Sequence, residues 1–98
     1  MVVVVAYDVN TQTAEGRKRL RRVAQTCEDF GLRRQYSVFL CRLTPTNLVR
    51  LRTRLYDILD LKVDQVIFVP LCPRCAGQIE ALGRPIEAHD AWDAVIVT

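Results

Sequence analysis

Apolar and polar positions along the chain switch between a strand rhythm and a helix rhythm. Val2-Val3-Val4-Val5-Ala6-Tyr7-Asp8 runs six apolar or aromatic residues into a single carboxylate. Side chains alternate across a sheet, so Val3, Val5 and Tyr7 share one face and Val2, Val4, Ala6 and Asp8 the other. A strand apolar on both faces is a buried central strand. Asn10-Thr11-Gln12-Thr13 is polar and offers an N-cap, with Glu15 in the first turn of the helix that follows. Leu20, Val23, Ala24 and Cys27 then fall at offsets 0, 3, 4 and 7, an amphipathic stripe, and Gly31 occupies the C-cap position.

Residues 33–43 read as extended, with Tyr36, Val38 and Leu40 alternating with Ser37, Phe39 and Cys41. No glycine or proline there decides between one strand and two. Thr44-Pro45 opens a second helix, whose buried stripe is Leu48, Leu51, Leu55 and Ile58, with Arg50 and Arg54 outside. Residues 65–71 form another strand apolar on both faces, Val66 and Phe68 against Ile67 and Val69. Beyond it, Cys72-Pro73-Arg74-Cys75 reads as a packed turn, 78–82 as a short strand, Gly83-Arg84-Pro85 as a break, and 94–98 as a β-rich end.

This order predicts a single α+β domain, a ferredoxin-like sandwich with an antiparallel sheet and two helices on one face. Residues 1–83 form its core and residues 84–98 a tail. Two helices cover one side of such a sheet, while the first strand, residues 36–41 and residues 65–71 all present apolar side chains to the other. An uncovered apolar face of that size marks a partner surface, and a second copy of the chain is the simplest cover.

Composition changes the picture in one respect. The 98 residues are 50% hydrophobic and 26% charged, ordinary for a folded domain. The net charge of +3, however, is unevenly spread. Residues 1–54 hold eleven Lys or Arg against four acids, and residues 55–98 hold three against seven. The basic half is nearly all arginine, whose planar fork grips two phosphate oxygens. Arg17, Lys18, Arg21 and Arg22 lie near the start of the first helix, next to the carboxyl end of the first strand. A polyanion partner is expected; a solvated helix surface is the alternative. No stretch reaches transmembrane length and no signal peptide precedes Asp8, so no membrane association and a cytoplasmic location are expected.

The Val-Val-Ala-Tyr-Asp-Val opening, the arginine-rich first helix, Gly31-Leu32-Arg33-Arg34-Gln35-Tyr36-Ser37-Val38-Phe39 and Asp64-Gln65-Val66-Ile67-Phe68-Val69-Pro70-Leu71 occur in an order that resembles the CRISPR-associated protein 2 family. The resemblance covers most of residues 1–83. It implies a ferredoxin-like homodimer acting in spacer acquisition. Members are described as metal-dependent endonucleases on RNA or double-stranded DNA and as a bridge between dimers of the CRISPR integrase. By this resemblance the metal-binding and catalytic aspartate is Asp8, its neighbouring aromatic Tyr7, the basic residues Arg17, Arg19 and Arg33, and the motif phenylalanine Phe39. Arg21, Arg22 and Arg34 extend the nucleic-acid-binding set on charge.

One carboxylate is a sparse magnesium site, since Mg²⁺ takes one or two carboxylates plus waters and phosphate. In a dimer that brings the first strands together, two Asp8 carboxylates share one Mg²⁺. Alternatively, Asp8 ends a strand or caps the next helix. Tyr7 and Phe39, as aromatics in extended segments, read first as core residues, with base stacking as the alternative. A non-catalytic DNA-binding adaptor and a related toxin-type ribonuclease are the alternative functions.

His89, the only histidine, falls in an acidic tail outside the matching motifs. Cys72 and Cys75 have zinc-ligand spacing but supply two of four ligands, and Cys27 and Cys41 follow core patterns, so zinc is not expected. Nor is a redox role, which calls for a pair at a helix start after a strand. The resemblance also implies that the tail adds a strand to a partner's sheet, with Trp92, Val95 and Val97 at the dimer interface.

Overall fold

The computed structural model describes residues 1–84. Its order is β1 (Val2–Asp8), α1 (Ala14–Phe30), β2 (Leu32–Gln35), β3 (Val38–Arg42), α2 (Pro45–Ile58), β4 (Gln65–Leu71) and α3 (Pro73–Ala76). The four strands form one sheet in the order β2-β3-β1-β4, antiparallel throughout. The predicted α+β sandwich is thus observed. Trp92, Val95, Val97 and the rest of the expected tail strand, with His89, lie outside the described residues.

Alternation in β1 sets the layers. Val3 and Val5 are fully buried and Tyr7 nearly so, whereas Val2, Val4 and Ala6 are half-buried and Asp8 is exposed. Register carries this parity across the sheet. Val5 lies between Phe39 and Phe68, and Val3 between Cys41 and Pro70. The helices cover that face. Val23 and Cys27 from α1 and Leu51 and Leu55 from α2 complete the core, flanked by Leu20, Ala24, Leu48 and Ile58. Both predicted stripes therefore face inward.

The core stripes of α1 and α2 pack on that first face. The other face carries half-buried Val2, Val4, Ala6, Val38 and Leu71, buried Leu40, and two exposed side chains of β4, Ile67 and Val69.

Local chemistry explains the element ends. Thr13 caps α1, its Oγ1 accepting the Gly16 N–H at 3.0 Å, and Thr44 caps α2 through the Asn47 N–H at 3.1 Å. Gly31 does end α1, but in extended rather than left-handed backbone. Its reason is space, because a Cβ there would overlap the Leu40 carbonyl oxygen and the Cys41 sulfur. Residues 33–43 are two strands joined at Tyr36 and Ser37, with an irregularity between Arg33 and Gln35.

Two expectations for the last third are corrected. Residues 72–75 are the cap and first residues of α3 rather than a packed turn, and both cysteines are exposed. Residues 78–82 form no strand: Gln78 closes the turn with its N–H on the Cys75 carbonyl, and Leu82 is 99% exposed. A strand needs a neighbouring ladder, and this segment pairs with none among the described residues.

Gly31→Ala is expected to destabilise the fold by about 1–3 kcal/mol, as overpacking between helix and sheet does. A lower denaturant midpoint at unchanged slope measures it.

Candidate functional site

The carboxyl end of β1 gathers three segments. Asp8 is its last residue, opposite Gln65 of β4. Parity turns it to the uncovered apolar face, and its carboxylate takes no hydrogen bond or ion pair among the described residues. The β2–β3 tip reaches this end: the Tyr7 N–H donates to the Ser37 carbonyl at 3.1 Å and the Tyr7 hydroxyl to the Tyr36 carbonyl at 3.2 Å. Burial pushes the Tyr7 phenol up, with Arg33 acting against it, so the hydroxyl stays protonated as that donor. The third segment is the loop from Val9 to Thr13.

Asp64 holds that loop. Its side chain is fully buried, yet both oxygens are satisfied. Oδ1 accepts the Asn10 N–H at 2.9 Å, Oδ2 accepts the Asp60 N–H at 2.9 Å, and Arg19 grips both, Nε on Oδ2 at 2.8 Å and Nη2 on Oδ1 at 3.3 Å. Burial alone would raise the carboxyl. The hydrogen bonds from Arg19, Asn10 and Asp60 outweigh it and hold the group below the usual carboxylate range. One carboxylate thus ties the loop after Asp8 to α1 and to the turn before β4. Gly16 permits the closeness, since a Cβ there would overlap the Asn10 carbonyl oxygen.

The expected site residues separate into groups. Tyr7 and Phe39 are core: their rings stack 6.1 Å apart and are 5% and 0% exposed. Neither offers a face to a base, in keeping with the core reading of these two rings. Arg33 lies over the Phe39 ring at 5.1 Å and reaches Glu28 at 3.7 Å. Arg19 is engaged by Asp64 rather than offered to phosphate. Arg17, Arg21 and Arg22 are exposed, and Arg17 also donates to the Thr11 carbonyl at 3.2 Å. They lie on the solvent side of the helical layer, whereas Asp8 turns to the opposite side of the sheet. Arg17 alone of these three reaches the loop. Arg34 is half-buried on β2.

Sequence reasoning missed Asp64 and Tyr36 as site residues. Asp64 stood in a quoted motif, but a carboxylate before a strand reads as a surface turn residue unless its partners are known. Tyr36, read as a strand residue, is 88% exposed at the hairpin tip, whose backbone is held by the Tyr7 hydroxyl. A second basic hollow at the far end of α1, lined by Arg42, Arg50 and Arg54 with Asn47 and Asp29, also went unread.

The donor set limits what metal the chain can hold. Asp8 is a hard oxygen donor suited to Mg²⁺, but the described residues contain no group of three or more His, Cys, Asp or Glu placed to share an ion. At this strand end the described residues of one chain offer Mg²⁺ the Asp8 carboxylate.

Asp64→Ala is expected to cost about 3 kcal/mol, because it leaves the Arg19 guanidinium and two backbone donors unpaired. The lowered carboxyl also fixes a sign. Its contribution is full above the unfolded-state pKa of about 3.9 and is lost as pH falls through the lower folded value. Native protein should therefore lose stability more steeply below about pH 4 than Asp64→Ala does. Denaturant titrations across that range measure it.

The comparisons with known proteins agree with this architecture. The family model for CRISPR associated protein Cas2 matches residues 1–79. A Chlorobaculum tepidum protein named CRISPR-associated endoribonuclease Cas2 is 46% identical over 83 residues, 85% of this chain and 86% of its own. One of the same name from Nitratidesulfovibrio vulgaris is 37% identical over 93 residues, 95% of this chain and 87% of its own. The crystal structure of Streptococcus pyogenes Cas2 at pH 6.5 superposes with a TM-score of 0.76 at 48% identity, covering 85% of this chain and all of that one. On sequence, fold and topology together, this chain belongs to the CRISPR-associated protein Cas2 family.

Proposed function

We propose that the chain is a CRISPR adaptation protein that acts as a homodimer and hydrolyses phosphodiester bonds of RNA or double-stranded DNA, with Asp8 at the reacting phosphate. The observation that carries this is the position of Asp8: an exposed, unengaged carboxylate at the margin of an apolar sheet face. A second copy on that face covers Val2, Val4, Ile67 and Val69 and sets the two Asp8 carboxylates toward each other. Two carboxylates then offer Mg²⁺ what one chain does not. Bound there, the ion supplies a lowered water pKa and screens the phosphate charge. The relatives named endoribonuclease support this reading, as does one from Halalkalibacterium halodurans named CRISPR-associated endonuclease Cas2, 36% identical over 83 residues.

The chain's own residues have separable roles. Asp8 supplies the ligand. Asp64 and Arg19 fix the loop behind it, Tyr7 fixes the hairpin tip, and Tyr36 at that tip offers a ring to an unstacked base. Arg17, Arg21 and Arg22 grip backbone phosphates along the outer helix face, so binding follows charge rather than sequence.

A second reading rests on the single carboxylate of each chain. In it the same dimer bridges subunits of the CRISPR integrase and holds DNA, and Asp8 is dispensable. The test compares native protein and Asp8→Ala, matched for dimer content, on labelled single-stranded RNA and double-stranded DNA, with Mg²⁺ or a chelator. Mg²⁺-dependent cutting that falls at least about 100-fold in Asp8→Ala is expected. Absent cutting, or equal cutting by both proteins, favours the adaptor.

Replacing Arg17, Arg21 and Arg22 together with alanine should reduce the slope of log affinity for duplex DNA against log salt by about 2–3. An unchanged slope moves the binding surface to another face.

A further inference from the structure

The four cysteines fall into two chemical classes. Cys27 and Cys41 are fully buried in the core, and burial pushes their thiols up to about 12 and about 11. They are inert packing residues. Cys72 and Cys75 are exposed.

The exposed pair sits where a strand passes into a helix. β4 ends at Leu71, Cys72 caps α3, and Pro73 fixes its first residue. This is the strand-to-helix placement that the sequence did not reveal. The Cys75 backbone nitrogen lies 3.3 Å from Cys72 Sγ, so the first thiol turns toward the residue that carries the second. A Cys-x-x-Cys pair spanning a helix start is the spacing used by dithiol redox centres.

The two sulfurs are also unequal. Cys72 Sγ accepts the Cys75 N–H at 3.3 Å. That bond, with the adjacent Cys75 thiol, lowers the Cys72 thiol, and the same proximity raises that of Cys75. The arrangement is an attacking sulfur beside a resolving one.

We propose that Cys72 and Cys75 form a reversible dithiol–disulfide centre that exchanges with low-molecular-weight disulfides of the glutathione class. The Cys72 thiolate attacks one sulfur of the disulfide, whose S–S bond breaks as a mixed disulfide forms. The departing thiolate takes a proton. Cys75 then loses its proton to solvent and attacks the Cys72 sulfur, closing the intramolecular bond and releasing the second thiol. Two electrons pass from the protein dithiol to the small disulfide, and excess reduced thiol reverses the sequence.

The centre lies away from the proposed nuclease site. Leu71 pairs with Val2, and Gln65 with Asp8, so the dithiol stands at the opposite end of β1. It does not depend on the nuclease reading.

The full chain would be equilibrated in reduced and oxidised glutathione at several ratios, alkylated while folded, and mapped by peptide mass. Native protein should convert both exposed thiols to a Cys72–Cys75 disulfide at oxidising ratios and recover them at reducing ones. Cys75→Ser should trap glutathione on Cys72, and Cys72→Ser should acquire it on Cys75 at least about tenfold more slowly. Persistent free thiols, a stable glutathione adduct on native protein, or equal rates in the two variants would overturn the proposal.

Discussion

A buried carboxylate must be fully paired or it destabilises the structure that contains it. Asp64 meets that condition with groups drawn from three places in the chain: the β1–α1 loop at Asn10, helix α1 at Arg19, and the α2–β4 turn at Asp60. Because those partners are far apart in sequence, satisfying one side chain fixes the relative placement of three connections. The strand end that carries Asp8 is positioned as a result. Gly16 belongs to the same device, since the loop closes onto the helix only where no side chain intervenes.

The sheet itself separates two kinds of chemistry by parity. One set of β1 side chains meets the helices and makes the core, and the alternate set, Val2, Val4 and Ala6, stays half-buried on the opposite face. Asp8 falls in the second set. An exposed carboxylate therefore sits at the rim of that sheet face. On the Proposed function reading, covering that surface and completing the site are one event. The arginine face of α1 lies on the other side of the molecule, so a nucleic acid that reaches both must wrap around the end of the sheet.

Much of this was legible from residue pattern. The period of Leu20, Val23, Ala24 and Cys27 fixed the inward face of α1, and Thr44-Pro45 fixed the start of α2, because caps and periodicity are local physics. The bend at Tyr36 and Ser37 was not legible, since no glycine or proline marks it; the Tyr7 hydroxyl and backbone hold it from another strand. Phe39 and Tyr7 resemble base-stacking residues in a string of letters, but their depth depends on what α1 lays over them. Arg19 looked like its neighbours, and only a buried partner 45 residues away distinguishes it.

The sequence by itself determined the α+β order, the two apolar faces of β1 and the basic half of the chain. Each follows from residue type and spacing along the chain. Tertiary structure alone decided that Arg19 is structural, that the Tyr36 ring is exposed, and that Cys72 begins a helix after a strand. Those outcomes depend on contacts between segments whose separation no local pattern records.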